Sequence, residues 1–286
     1  MKRILGLKID VDTYAGMQKG VPRLLESLAQ LGVKGTFYLS VGPDASGLAI
    51  LQLLRNPRFL GKMLRTNAPG LYGFKTALYG TLLPSPFIAL SFPELVRRIA
   101  AEGHEVQFHA WDHRRWQDGL PRRSEAWIQD WFDKGLRAFQ DLTGGKATSF
   151  GAPAWLIDDR ALRIAAACGF QYLSCTRARE PFCHAGVHIP EIPSDLPCFE
   201  ELGVERAGEV ILAALDHGGL HVLPVHAEVE GGIWNRAFLD LMEAIKDRAY
   251  ECRTLGEIHR ELAATNLPVR KFALGLLPGR ATPCAV

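Results

Sequence analysis

Ile4-Leu-Gly-Leu-Lys-Ile-Asp10-Val-Asp12 is a short apolar run that ends in two carboxylates. Ile4 to Ile9 has the length of a strand, and from Val21-Pro22 a helical spacing runs through Leu24, Leu25, Leu28 and Leu31 until Gly32 stops it. Val33 to Val41 gives the next strand, closed by Gly42-Pro43. After a break the alternation resumes, with a helix over 94–101, a strand over 105–108, a helix over 125–142 and a strand over 147–150. It continues with a helix over 158–168, strands over 170–174 and 187–192, a helix over 207–217, a strand over 220–225 and a helix over 234–247, then a short strand and helix within 252–264. Repeated strand-helix units predict an α/β fold with parallel strands in one sheet, either open or closed into a barrel. No internal repeat or linker divides the chain, so 1–286 reads as one domain.

At 48% hydrophobic and 22% charged residues, the chain has ample material for a core, which excludes disorder as its general state. Basic and acidic residues nearly cancel, 33 against 31, so the overall balance predicts no nucleic-acid partner. Cys168, Cys175, Cys183, Cys198, Cys252 and Cys284 form no Cys-x-x-Cys pair, which argues against a cysteine zinc cluster and for a reducing compartment. The amino-terminal run meets Lys8 and Asp10 before reaching signal-peptide length, and a cytoplasmic location is expected.

The break in the alternation is the most polarised stretch. Between Ala45 and Pro93 there is no acidic residue, while Arg55, Arg58, Lys62, Arg65 and Lys75 stand among leucines and aromatic residues. Thr76 to Pro93 is 18 uncharged residues, but Gly80, Pro84 and Pro86 oppose a continuous spanning helix. Lying on an anionic membrane surface fits this insertion, 45–93, and so does a partly buried helical insertion with a solvated basic rim. Leu262 to Val286 also lacks acids. A flexible, frayed tail over 265–286 is the default expectation there, with a second membrane contact as the alternative.

Asp10 and Asp12 sit at the carboxyl end of the first strand, the edge where parallel sheets and barrels gather ligands. Capping a helix or shaping a turn would use the same residues. His109 and His113 follow another strand, and two histidines at this spacing meet one ion if the backbone between them turns like a helix. Chance surface pairs share that spacing. His226 follows a third strand; a period of two puts His226, Glu228 and Glu230 on one side if the strand runs that far, while Glu230-Gly-Gly also reads as a turn. Two histidines and a carboxylate accept zinc, cobalt, nickel, iron or manganese.

Together, Asp10-Val-Asp12, His109 with His113, and His226 resemble the motifs of the polysaccharide deacetylases, carbohydrate esterase family 4. Ile9-Asp-Val-Asp-Thr13, Gly20-Val-Pro-Arg-Leu-Leu25, Ser40-Val-Gly-Pro-Asp44, Lys62-Met-Leu-Arg65, His109-Ala-Trp-Asp-His113 and His226-Ala-Glu-Val-Glu-Gly231 are similar to one branch of it. That branch deformylates undecaprenyl-phosphate-linked 4-deoxy-4-formamido-L-arabinose. The resemblance implies an irregular (β/α) barrel of about seven parallel strands, with Asp12, His109 and His113 holding one divalent metal ion, Asp10 as base and His226 as general acid. It further implies substrate contacts by Trp155, Glu228 and Glu230, and Asp112 supporting a ligand from behind.

Where many family members carry Arg-x-Pro-Tyr, whose arginine orients the catalytic aspartate, this chain reads Phe150-Gly-Ala-Pro-Ala-Trp155. The branch also lacks that arginine. Arg177 matches a branch-typical arginine and is expected to orient the aspartate or bind the lipid phosphate, unless it is an ordinary surface residue. The implied partners are a lipid-linked amino sugar and an anionic membrane met through 45–93, with the protein peripheral on the cytoplasmic face of the inner membrane. The product would be a cationic sugar lipid of the kind added to lipid A in cationic-peptide resistance. Two alternatives stay open: an N-deacetylase of an N-acetylated polysaccharide, and a non-catalytic protein that binds sugar lipid around a structural metal.

Overall fold

A computed structural model describes residues 2–48 and 78–286. In chain order its first elements are β1 (Arg3–Val11), α1 (Val21–Leu31), β2 (Thr36–Ser40), α2 (Pro93–Ala101), β3 (Glu105–Ala110), α3 (His113–Gly119) and α4 (Glu125–Thr143). Next come β4 (Ser149–Phe150), α5 (Asp159–Ala167), β5 (Tyr172–Leu173), β6 (Phe182–His184), β7 (Pro190–Glu191), α6 (Phe199–Leu202) and α7 (Val204–Asp216). β8 (Gly219–His226), α8 (Asn235–Lys246), β9 (Glu251–Arg253), α9 (Leu255–Leu262), β10 (Val269–Arg270), β11 (Leu274–Gly275) and β12 (Cys284–Ala285) complete it.

β8, β1, β2, β3, β4, β5 and β7 are consecutive neighbours and all pair in parallel, the expected seven. β6 then turns back antiparallel on β7, and β10 lies beside β6. The sheet path ends at β8 and β10, so the barrel is a curled, open half-barrel. β8 pairs β1 from Arg3 to Asp10, while β9 pairs Ile4–Gly6 and β2 pairs Lys8–Val11. Two strands thus share the other edge of β1, one at each end.

Strand alternation sorts β1 into two faces. Leu5, Leu7, Ile9 and Val11 are fully buried in the main core, together with Leu24, Leu25 and Leu28 of α1. Ile4 faces the other way, into a smaller cluster with Tyr38, Tyr172, Val222 and, from α9, Leu255 and Ile258. That cluster plugs the amino-terminal end of the half-barrel. On the same face of β1, further along, stand Lys8 and Asp10, so the interior turns from apolar to charged toward the carboxyl ends of the strands.

One sequence expectation, the frayed tail, meets a different outcome. Residues 265–286, expected to fray, fold back: β11 pairs antiparallel with β12, Cys284 and Ala285 are fully buried, and Arg177 N donates to Ala285 O at 2.8 Å. Arg280 anchors the same stretch through the Ala154 carbonyl at 2.8 Å. Of the basic insertion 45–93, residues 49–77 lie outside the described residues. At its described end Leu82 is 81% and Phe87 47% exposed. No helix among the described residues is long and apolar enough to cross a membrane.

Candidate active site

The site forms where β1, β3 and β8 end. Asp10 is paired in register with His226 across β1 and β8, and Asp12 is the first residue beyond β1. His109 belongs to β3, while His113 opens α3. The two histidines therefore do not share a helical turn; a strand-to-helix bend brings their ring centroids to 5.2 Å. Asp112 builds that bend, because its Oδ1 accepts the Arg115 N–H at 2.9 Å and caps α3, placing His113 at the first helical position. Burial pushes the Asp112 carboxyl pKa up. Gly42 makes the close packing possible: a Cβ there would lie 1.9 Å from the Trp111 carbonyl oxygen.

Asp12 bridges both histidines, with Oδ1 3.1 Å from His109 Nε2 and Oδ2 3.2 Å from His113 Nε2. His109 Nδ1 lies 2.7 Å from the Gly151 carbonyl, an acceptor only, so Nδ1 carries a proton and Nε2 is the nitrogen turned toward Asp12. Both Asp12 Oδ1 and His109 Nε2 are buried without a hydrogen-bond partner. A buried carboxylate oxygen and a buried imidazole nitrogen this close, with no other partner, suit a shared cation. Ligand atoms about 2.05 Å from one ion stand about 2.9 Å apart in octahedral and about 3.3 Å apart in tetrahedral geometry, which brackets the observed separations. The three residues fit one divalent ion. Burial opposes ionisation of Asp12, but His113 and His109 hold its carboxyl well below the usual carboxylate range.

Beside this set, Asp10 is 3% exposed and both its oxygens face the ammonium of Lys8, which is fully buried. His226 stands opposite. Its Nδ1 lies 3.1 Å from Glu200 Oε2, and its backbone N–H donates to Glu230 Oε2 at 2.7 Å. Burial disfavours the imidazolium, yet the carboxylates of Glu200, Asp12, Glu230 and Asp10 more than offset it, and the His226 pKa lies above the ordinary histidine value.

β8 ends at His226, so Glu228 and Glu230 lie in the following turn and not along a strand. Glu230 reaches back to clamp His226, with its own pKa pushed up to about 7 by burial. Glu228 is 5% exposed, and its carboxyl is pushed well above the usual range by burial and by the charges of Asp12 and Glu200.

Arg177 is not a surface residue. Its Nε donates to Ser194 O at 2.7 Å, Nη2 to Leu196 O at 2.8 Å, and Nη1 to Glu201 Oε1 at 2.5 Å. These bonds direct it to Glu201 and two carbonyls, while the group facing Asp10 is Lys8. The Arg177 guanidinium carbon also lies 4.7 Å from the centre of the Trp155 ring, with that of Arg280 at 5.1 Å. Trp155 and Ala154 both adopt positive φ, 51° and 53°, a strained conformation for these residues. The indole stands edge-on to His226, with centroids 6.0 Å apart. Trp155 thus packs the floor between Lys8, Arg177 and His226.

Sequence reasoning missed Lys8 and Glu200. For Lys8 the signal was present, a lysine two residues from Asp10 and hence on the same strand face. No local pattern marks Glu200, which α6 delivers from a distant part of the chain. His184 and His221 pair with Glu191 at 2.9 Å and Asp195 at 2.6 Å, away from this set.

A family model described as polysaccharide deacetylase matches residues 7–173. The chain is 35% identical over 253 residues, 86% of its length and 83% of the relative's, to a probable 4-deoxy-4-formamido-L-arabinose-phosphoundecaprenol deformylase of Shewanella sediminis (strain HAW-EB3). A protein of the same description from Wigglesworthia glossinidia brevipalpis is 29% identical over 277 residues, covering 93% of this chain and 96% of that one. Among solved structures, a putative polysaccharide deacetylase from Mycobacterium smegmatis shares the fold with a TM-score of 0.67, 19% identity and coverage of 97% of this chain and 96% of that one. The matched stretch holds Asp10, Asp12, His109 and His113, and the chain belongs to the polysaccharide deacetylase family.

Proposed function

We propose that the protein is a hydrolase dependent on one divalent metal ion that deformylates undecaprenyl-phosphate-linked 4-deoxy-4-formamido-L-arabinose, releasing formate and the 4-amino sugar lipid. The observation that carries this reading is the register of Asp10 with His226 beside the Asp12, His109 and His113 set. A base and an acid then flank three ligands, and two relatives described as that deformylase support the choice of substrate.

Held by Asp12, His109 and His113, such an ion supplies a lowered water pKa and a polarised amide carbonyl. Asp10 accepts the proton of the water that adds to the formyl carbon. His226 then donates a proton to the sugar nitrogen as the carbon–nitrogen bond breaks, so the amine leaves neutral. Its pKa is raised above the ordinary histidine value, which favours the protonated form that an acid requires. Glu200 and Glu230 hold it in place.

Membrane contact through 45–93, on the cytoplasmic face of the inner membrane, is part of the same proposal, as is a place in lipid A modification and cationic-peptide resistance. An acid-free basic stretch beside apolar residues supports it. The family match also favours a second reading, N-deacetylation of an acetylated polysaccharide. Incubation with the formamido sugar lipid and, separately, with N-acetylated oligosaccharide decides between them: formate from the first supports the proposal, and acetate from the second alone overturns it.

A further inference from the structure

Lys8 is a fully buried lysine inside the half-barrel, two residues from Asp10 on the same face of β1. Its ammonium faces both oxygens of Asp10. The other sides are enclosed by aromatic faces, with Nζ 4.8 Å from the centre of the Tyr38 ring and 5.3 Å from that of Trp155. Removing either member would leave an uncompensated charge in this interior.

Space for the lysine comes from Gly151. A Cβ at that position would lie 3.1 Å from Lys8 Cε and 2.9 Å from Tyr38 Cδ1. Aligned on Pro153, Gly151 also takes the place of the arginine in the Arg-x-Pro-Tyr pattern that this chain resembles but does not carry. The basic group absent at 151 is thus matched by one present at 8, reaching the same carboxylate from the neighbouring part of the floor.

We propose that Lys8 is the positioning residue for Asp10. It fixes the carboxylate's orientation toward the water it deprotonates, takes no part in holding the metal, and does not touch substrate. The inference rests on Asp10 being the base in the function proposed above. Trp155, Tyr38 and Gly151 serve it in turn, by enclosing the ammonium and leaving it room.

The test compares wild type, Lys8→Met and Lys8→Arg, with formate release from the formamido sugar lipid and bound metal measured on each. For Lys8→Met, kcat should fall about 100-fold with KM within about twofold of wild type, since misplacement of a reacting group acts on the chemical step. Its metal content should equal that of wild type, and Lys8→Arg should recover most of kcat. Unchanged kcat in folded Lys8→Met, or loss of metal from it, would overturn the inference.

A thermal-melting cycle with Asp10→Asn checks the pair independently of turnover. Lys8→Met/Asp10→Asn should melt above Lys8→Met, because no lone carboxylate remains buried; additive effects of the two changes would overturn the pairing. Absence of turnover in wild type would refute the deformylase reading, and the melting cycle would still decide whether Lys8 and Asp10 act as a pair.

Discussion

Glu200 Oε2 stands 3.1 Å from Nδ1 of His226, and among the carboxylates that raise the pKa of this buried ring against the effect of burial its charge counts most. The carboxylate comes from α6 and the histidine from the end of β8, so two distant parts of the chain meet at one proton.

Glu200→Gln should lower the His226 pKa. The acid form would then be lost earlier as pH rises, so the alkaline limb of the kcat/KM profile should move to lower pH, with little change on the acid side. Stability follows the same sign. A histidine with a raised folded pKa stabilises the fold below its unfolded pKa, and this is lost as pH rises through the folded value. The variant should therefore lose more melting temperature at pH 6 than at pH 9. A profile identical to wild type would remove Glu200 from the acid's environment.

His104 titrates in the opposite sense. Burial, with Lys34 nearby, lowers its pKa to about 4, and its Nδ1 accepts the Gly35 N–H at 3.2 Å. The unfolded chain takes up this proton below pH ~6.5, so stability should fall as pH drops from about 6.5 toward 4. His104→Gln should flatten that part of the melting curve against pH. An equally steep wild-type and variant dependence would assign the acid sensitivity elsewhere.

Asp112→Ala removes the cap of α3 without touching a proposed ligand. It should cost about 1 kcal/mol of stability and weaken metal affinity about 10-fold through His113. Turnover at saturating metal should survive. Competition with a chelator measures the affinity, and an unchanged value would show that His113 holds its position without the cap.

Arg177 and Glu201 form a buried pair, each with 4% of its side chain exposed. Burial works against the charge on Arg177, while Glu201 raises its pKa. Arg177→Met should destabilise by about 3 kcal/mol, because it strands a buried carboxylate; Arg280, 3.2 Å from the same Glu201, limits the loss. Denaturant melts measure it. A neutral outcome would mean that Arg280 alone satisfies Glu201.

Much of this arrangement was legible in the chain. The amphipathic helix α1 announced itself by spacing, and its end by Gly32, which stands at positive φ. Asp10, Asp12, His109, His113 and His226 all lie at or just beyond the carboxyl ends of strands, which is why their convergence was readable. The shape of the His109–His113 bend was not, because a cap at Asp112 and close packing on Gly42 decide it. For Lys8 the spacing to Asp10 was legible, but its enclosure by the Tyr38 and Trp155 rings was not. Tail residues 265–286 lack a strong apolar period, yet Arg280 and the β11–β12 pairing tie them down.

Bound metal and formate release, measured together on wild type and His113→Ala, test the proposed chemistry most directly. Wild type should carry one equivalent of a divalent ion and release formate from the formamido sugar lipid, losing activity on chelation and regaining it when the ion is restored. His113→Ala should lose both metal and turnover. Normal formate release by metal-free protein, or by His113→Ala, would contradict the mechanism.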